Sequence, residues 1–407
     1  MKDNSLVWWL IGVALIAGLG YLVLRQKPAQ PTSNTAPSST QDSGMTDEPT
    51  FEGELALGAV LPLSGAHAPK GQAAQKAIQF AADQVNQNGG VGGKKLTLFF
   101  EDGECSAPSA AAAATRLVET KGVKAIIGGG CSEESVGLGP VVREKKIVAL
   151  APFSATPFVT TDAGPSTYRL YPAPSLAGKA AARYALNEFQ AKSVALLYED
   201  TSYGRGLATA FTDHFKQFGG KVVMDEAYGK GLLQFRGQAA QVKNVAADVV
   251  YIVPESASSG VAILQALQGQ GIKSRVLTND VLVSPSVVGS NRALLEGVIG
   301  FAPRVDEKTP ALLAFSQAYQ ESLGESLAYP YEQATAYSLV YLLKEAMENS
   351  GMVGEQLKTG LDALQGWTGG TLDSVSLTDK GNLQWKMFNI NIGREGKVST
   401  ADTIEIE

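Results

Sequence analysis

The chain has 407 residues, of which 44% are apolar and 18% charged, with a formal net charge of −6. That length fits two to three ordinary domains, and the composition excludes an intrinsically disordered chain. The acidic balance, with no Lys/Arg cluster, argues against a nucleic-acid-binding surface.

The first element is Leu6–Leu24 (LVWWLIGVALIAGLGYLVL), nineteen residues without a charge. At about 1.5 Å per residue it just spans a hydrocarbon core of roughly 30 Å. Trp8, Trp9 and Tyr21 lie near its ends, where amphipathic rings favour the membrane interface. Residues 1–27 are therefore expected to be an uncleaved transmembrane anchor. A cleaved signal peptide is the competing reading, but the apolar run exceeds the usual roughly 7–15 residues, and neither an A-x-A site nor a lipobox-like Cys follows. Arg25 and Lys27 after the helix, against Lys2 before it, favour a cytoplasmic body by the positive-inside rule. The two cysteines, Cys105 and Cys131, point the other way. An even, minimal count fits one disulfide in an oxidising compartment, with two unrelated buried thiols as the alternative. Residues 28–53, rich in Pro, Ser and Thr, read as a flexible tether.

From residue 54 strands and helices alternate. Leu55–Leu61 (LALGAVL) is a short apolar run bounded by Gly and Pro, hence a buried strand. A helix follows with Ala73, Ala74, Ala77, Ile78, Ala81, Ala82 and Val85 on one face, ending at Asn88-Gly89-Gly90. Further strands are predicted at Leu96–Glu101, Lys124–Ile127 and Ile147–Leu150, and helices at Ser109–Glu119 and Glu133–Glu144. The proline-rich stretch Ala151–Ser175 reads as a crossing between two bodies, after which the alternation restarts. Strands are predicted at Val194–Glu199, Lys221–Met224, Asp248–Val253, Arg275–Thr278, Val298–Phe301 and Gln384–Ile392. Fully apolar strands in βα units mean parallel sheets covered on both faces. The predicted fold is α/β: two doubly wound parallel-sheet lobes joined by a hinge. Lobe 1 is residues 54–174 plus 303–387, and lobe 2 is residues 175–302 plus 388–407. Further hinge crossings are expected near Phe301–Arg304 and Trp385–Asn389.

Catalytic signatures are missing: there is no GxSxG elbow, P-loop, GxGxxG after the first strand, CxxC or HExxH. Of the two histidines, His214 lies in an amphipathic helix and reads as a surface residue. His67 follows the first strand without a partner nucleophile. No cofactor or metal is expected, and the chain reads as a binding protein and not an enzyme.

Ligands of open α/β sheets bind outside the carboxyl ends of strands. The segments there are LPLSGAHAPKGQ (61–72), EDGECSAP (101–108), GGGCSEES (128–135) and APFSATPF (151–158). Together with DQVNQNGGVGGKKL, DTSYGRG (200–206) and PYEQATAYSLVYLL (330–343), they resemble the leucine/isoleucine/valine-binding protein family. These are type 1 periplasmic binding proteins that serve as amino-acid receptors of ABC importers. The resemblance covers roughly residues 54–400 and implies a Cys105–Cys131 disulfide. It implies that Ser132, at the start of a helix, holds a ligand carboxylate, although alone Ser132 reads equally as an N-cap serine. It implies further donors from Ser154 and Ala155, an aromatic closure by Tyr203, and Asp280 for the ligand ammonium. Departures from the family pattern are Lys70, where an aromatic residue is frequent, Glu255, where a neutral or aromatic one is expected, and Phe153, where a small one is common. They imply a cleft more polar than one for leucine.

The resulting expectation is an amino-acid-binding subunit that delivers its ligand to ABC permease subunits from the periplasmic or extracellular face of the cytoplasmic membrane. The alternative is a ligand-sensing subunit of a membrane signalling system; the lack of a cytoplasmic signalling domain favours transport.

Overall fold

The computed structural model describes residues 49–156, 159–160, 164, 166–304, 308–372, 375–377, 381–383 and 387–405. The expected transmembrane anchor and most of the tether lie outside them. Among the described residues no helix is long and apolar enough to cross a membrane.

The first sheet holds β1 (Glu54–Leu61), β2 (Lys95–Asp102), β3 (Ala125–Gly128), β4 (Val148–Ala151) and β5 (Thr167–Arg169), all parallel, in the order β2-β1-β3-β4-β5. Its crossovers are α1 (Ala68–Gln87), α2 (Ala107–Lys121) and α3 (Ser132–Lys145). Helix α1 turns the alanine face read from the sequence onto the sheet, where Ala74, Ala77, Ile78 and Ala81 are fully buried. Helices α2 and α3 cover the opposite face around Val60, Leu117 and Leu138. β1 is apolar on both faces because both are covered.

The chain then leaves for α4 (Pro174–Asn187) and a second sheet. This sheet holds β6 (Ser193–Glu199), β7 (Lys221–Tyr228), β8 (Val249–Val253), β9 (Arg275–Asn279) and β10 (Ile299–Pro303). Between these run α5 (Ser202–Gln217), α6 (Arg236–Val245), α7 (Ala257–Gly269), α8 (Pro285–Ser290) and α9 (Arg292–Leu295). One face packs α4 and α5 around Phe211 and Tyr251, and the other packs α6 and α7 around Ile252 and Leu264. After β10 the chain returns to the first sheet. There α10 (Pro310–Leu323), α11 (Pro330–Ser350) and α12 (Gly354–Asp362) join the core built on α1.

Two features depart from the sequence reading. The stretch 151–175 is not all crossing, because β5 lies inside it and pairs with β4, with Tyr168 and Arg169 fully buried. Three residues between prolines are too short to show a period. The second sheet is not purely parallel: β11 (Met387–Arg394) and β12 (Lys397–Glu405) join it antiparallel, in the order β12-β11-β10-β9-β8-β6-β7. β12 (KVSTADTIE) is mostly exposed and so has no apolar alternation to announce it. Residue 385, in the third expected crossing, lies outside the described residues.

Candidate functional site

The loops at the carboxyl ends of both sheets face a cleft of about 1280 Å³. The first-sheet wall carries Lys70, Ser132, Phe153 and Ala155 of the predicted residues, and the second-sheet wall carries Tyr203, Glu255 and Asp280. Ser154 does not line it: this residue is 1% exposed, and its Oγ is buried without a hydrogen-bond partner. His67 lines the cleft, whereas His214, on α5, does not.

On the first wall, β3 ends in Gly128-Gly129-Gly130 and α3 begins at Ser132, so the helix N-terminus opens toward the cleft. Its unpaired N–H groups and partial positive charge suit an anion. Gly130 is required here, because a Cβ would meet Pro62 at 2.7 Å and the Phe153 ring at 2.9 Å. Cys131 is bonded to Cys105. The buried Glu134 fixes the pair, with Oε1 accepting from Cys105 N–H at 3.1 Å and Oε2 from Cys131 N–H at 3.3 Å. Burial pushes the Glu134 carboxyl up to about 8, against these backbone donors, which hold it down. The 153–156 loop is gripped from behind by Arg169, 2% exposed, which donates to the Thr156 carbonyl at 2.6 Å and to Asn382 Oδ1 at 2.8 Å. Burial lowers its pKa to about 10, so it stays charged at neutral pH.

On the second wall, Asp280 follows β9 directly. Its Oδ1 accepts from the Tyr203 hydroxyl at 3.0 Å and its Oδ2 from the Tyr171 hydroxyl at 3.2 Å. Burial, then the Asp280 charge, holds both phenols well above their ordinary pKa, so both remain donors. Tyr203 sits in the first turn of α5, whose N-cap Thr201 accepts from Gly204 N–H at 3.1 Å. Gly204 has no room for a Cβ, which would stand 2.0 Å from the Glu199 carbonyl.

Lys70 pairs with Glu332 at 2.8 Å and lies 5.8 Å from the Phe153 ring centroid. Burial works to lower the ammonium pKa, but Glu332 and then Asp280 outweigh it and hold the group above its usual value. Burial, then Lys70 and Lys230, depress His67 to about 4, so it is neutral at neutral pH. The two walls also touch directly, Ser202 N–H donating to Glu133 Oε1 at 2.8 Å. His67, Glu255 and the two cysteine sulfurs come within 4.8 Å of one another. This is not a metal-ligand set, because the sulfurs are spent in the disulfide and no thiolate is left.

Sequence reasoning missed Tyr171, Asn279, Glu332 and Arg169. Tyr171 lay in the stretch read as a crossing and Glu332 inside the PYEQ motif, so only a partner in space reveals either. Glu199, which closes β6, is fully buried and accepts from the backbone of Gly231, Glu255 and Ser256. In the sequence it looks like any acid at a strand end.

A family model described as periplasmic binding protein matches residues 54–396. An amino acid binding protein of Pseudomonas aeruginosa is 29% identical over 231 residues, 57% of this chain and 62% of its own length, so the match spans under two thirds of that relative. A Leu/Ile/Val-binding protein homolog of Brucella abortus is 27% identical over 300 residues, 73% of this chain and 80% of its own. The crystal structure of a leucine binding protein from Thermotoga maritima superposes with a TM-score of 0.78 at 23% identity, covering 86% of this chain and 99% of that one.

Proposed function

Since this chain belongs to the periplasmic binding protein family, we propose that it captures an amino acid between two closing lobes and delivers it to an ABC importer. It is a binding protein and not an enzyme, homologous to the binding proteins of branched-chain amino-acid importers, and the family places it outside the cytoplasm.

One observation carries the amino-acid reading: Asp280 is an acceptor oriented by two phenols across a cleft from the open N-terminus of α3. An ammonium suits the first and a carboxylate the second. We assign Ser132 and Ala155, with Ser154 behind them, to the carboxylate end, and Asp280 with Tyr203 to the ammonium end. Lys70, Phe153 and Glu255 are assigned to the walls around the side chain. A zwitterion held this way bridges residues 54–174 plus 303–387, taken as the first lobe, and residues 175–302 plus 388–407, taken as the second. Recognition and hinge closure then become one event. An N-terminal helix at residues 1–27 would hold this receptor at the membrane beside its permease.

The test is a thermal-shift screen of the full chain against amino acids, with carboxylic acids lacking an amino group as the contrast. A true ligand at about 100 times its Kd adds roughly 2.7 kcal/mol of apparent stability. Small-angle scattering at saturation should show a more compact particle. Stabilisation by carboxylic acids alone would defeat the reading, and an unchanged scattering profile would defeat the clamp.

A further inference from the structure

Glu255 stands where the two sheets' crevices meet. The first sheet reverses its winding between β1 and β3, and the parallel part of the second, β7-β6-β8-β9-β10, reverses between β6 and β8. Ligands of open α/β sheets sit at such switch points. The loops after β1 and β3 carry His67 and Cys131, and the loop after β8 carries Glu255, whose carboxylate lies within 4.8 Å of both.

Glu255 is 7% exposed and lines the cleft, yet its Oε2 has no hydrogen-bond partner. A buried acceptor without a donor is an expensive thing to keep. Its placement is enforced: Glu199 Oε2 accepts from the N–H groups of Glu255 at 2.9 Å and Ser256 at 3.0 Å. Asn279 donates to the Pro254 carbonyl at 2.6 Å, locking the β8 loop to the β9 loop that carries Asp280. The nearby groups do not fill the vacancy. The Thr201 side chain reaches the Glu255 carboxyl but leaves Oε2 without a partner, Lys70 is bonded to Glu332, and neither His67 nor Lys230 hydrogen-bonds Oε2. Asp280, one strand over, already has its two phenols.

We propose that Glu255 Oε2 accepts a hydrogen bond from the far end of the ligand's side chain. The ligand is then an α-amino acid whose side chain ends in an N–H donor, an ammonium or a carboxamide, and not in hydrocarbon. This rests on the amino-acid reading of the cleft and adds a specificity determinant to it.

The experiment is calorimetric titration of the full chain with L-ornithine, L-glutamine and L-norleucine, whose side chains have similar lengths. L-Ornithine or L-glutamine should bind at least about tenfold tighter than L-norleucine, the scale of one charge-assisted hydrogen bond. Glu255→Leu should bring that ratio to about one while keeping or raising the affinity for L-norleucine. Where that variant does not fold, Glu255→Gln keeps the shape and removes the charge, and the L-ornithine preference should shrink by a similar factor. L-Norleucine binding as tightly as the others to the parent, or a preference that survives substitution, overturns the assignment of Glu255 and leaves the amino-acid reading intact. Failure of all three to bind overturns both.

Discussion

The Tyr203 hydroxyl donates to Asp280 Oδ1 at 3.0 Å while its oxygen accepts from Asn279 Nδ2 at 2.9 Å, so a helix start and a strand end are joined through one phenol. Asp280→Ala leaves a ligand ammonium buried without its counter-charge, at a cost of roughly 3–5 kcal/mol. Affinity for an amino-acid ligand should fall at least about a hundredfold by calorimetry. Tyr203→Phe removes one neutral donor and should cost about 1 kcal/mol. Equal affinity in Asp280→Ala and the parent would refute the assignment.

The Cys105–Cys131 bond closes a loop with a sequence separation of 26. Replacing both cysteines by serine should lower unfolding stability by about 3 kcal/mol in the chain-entropy model. Urea titration of the oxidised parent and the double variant measures this directly, and coincident midpoints would contradict it.

His67 and Glu134 give stability a particular pH profile. Burial lowers His67 from 6.5 to about 4, so its contribution is present above 6.5 and is lost as pH falls toward 4. Burial raises Glu134 from 4.5 to about 8, so its contribution is present below 4.5 and is lost as pH rises toward 8. Glu255, also raised by burial, acts in the same direction as Glu134. From about pH 4.5 to 6.5 the two slopes oppose; from 6.5 to 8 only the carboxyl slope remains, at most about 1.4 kcal/mol per pH unit per group. Urea midpoints should therefore fall above pH 6.5. In His67→Gln the fall should begin near 4.5, and a profile unchanged by that substitution would speak against the buried neutral imidazole.

Arg169→Met keeps the buried stem and deletes the charged donor to the Thr156 carbonyl. Losing this charge-assisted bond should cost about 1–3 kcal/mol of stability, even though Val159 N–H still donates to the same carbonyl at 3.4 Å. Because that carbonyl anchors the 153–156 loop, ligand affinity should drop as well. A variant that loses stability and retains full affinity would show that the loop holds its shape without Arg169.

The parts legible in the sequence were those written in apolar residues. β1 and α1 are declared by a buried run and an alanine face. β5 and β12 were not legible, the first because it is three residues long and the second because its side chains face solvent. Among cleft residues, the resemblance supplied Ser132, Tyr203 and Asp280, and departures from the family's pattern singled out Lys70 and Glu255. Neither source contained the Tyr171–Asp280 and Lys70–Glu332 bonds. These join residues 109 and 262 positions apart, and such pairings exist only once both sheets are assembled.

The interleaving of the two cores bears on how the chain is made. The core around β1 draws on residues from Leu55 to Leu383, and the second sheet is finished only when β11 and β12 dock beside β10. A ribosome has therefore synthesised almost the whole polypeptide before either half can complete its interior. Each half closes its full interior only after the C-terminal segment has been made.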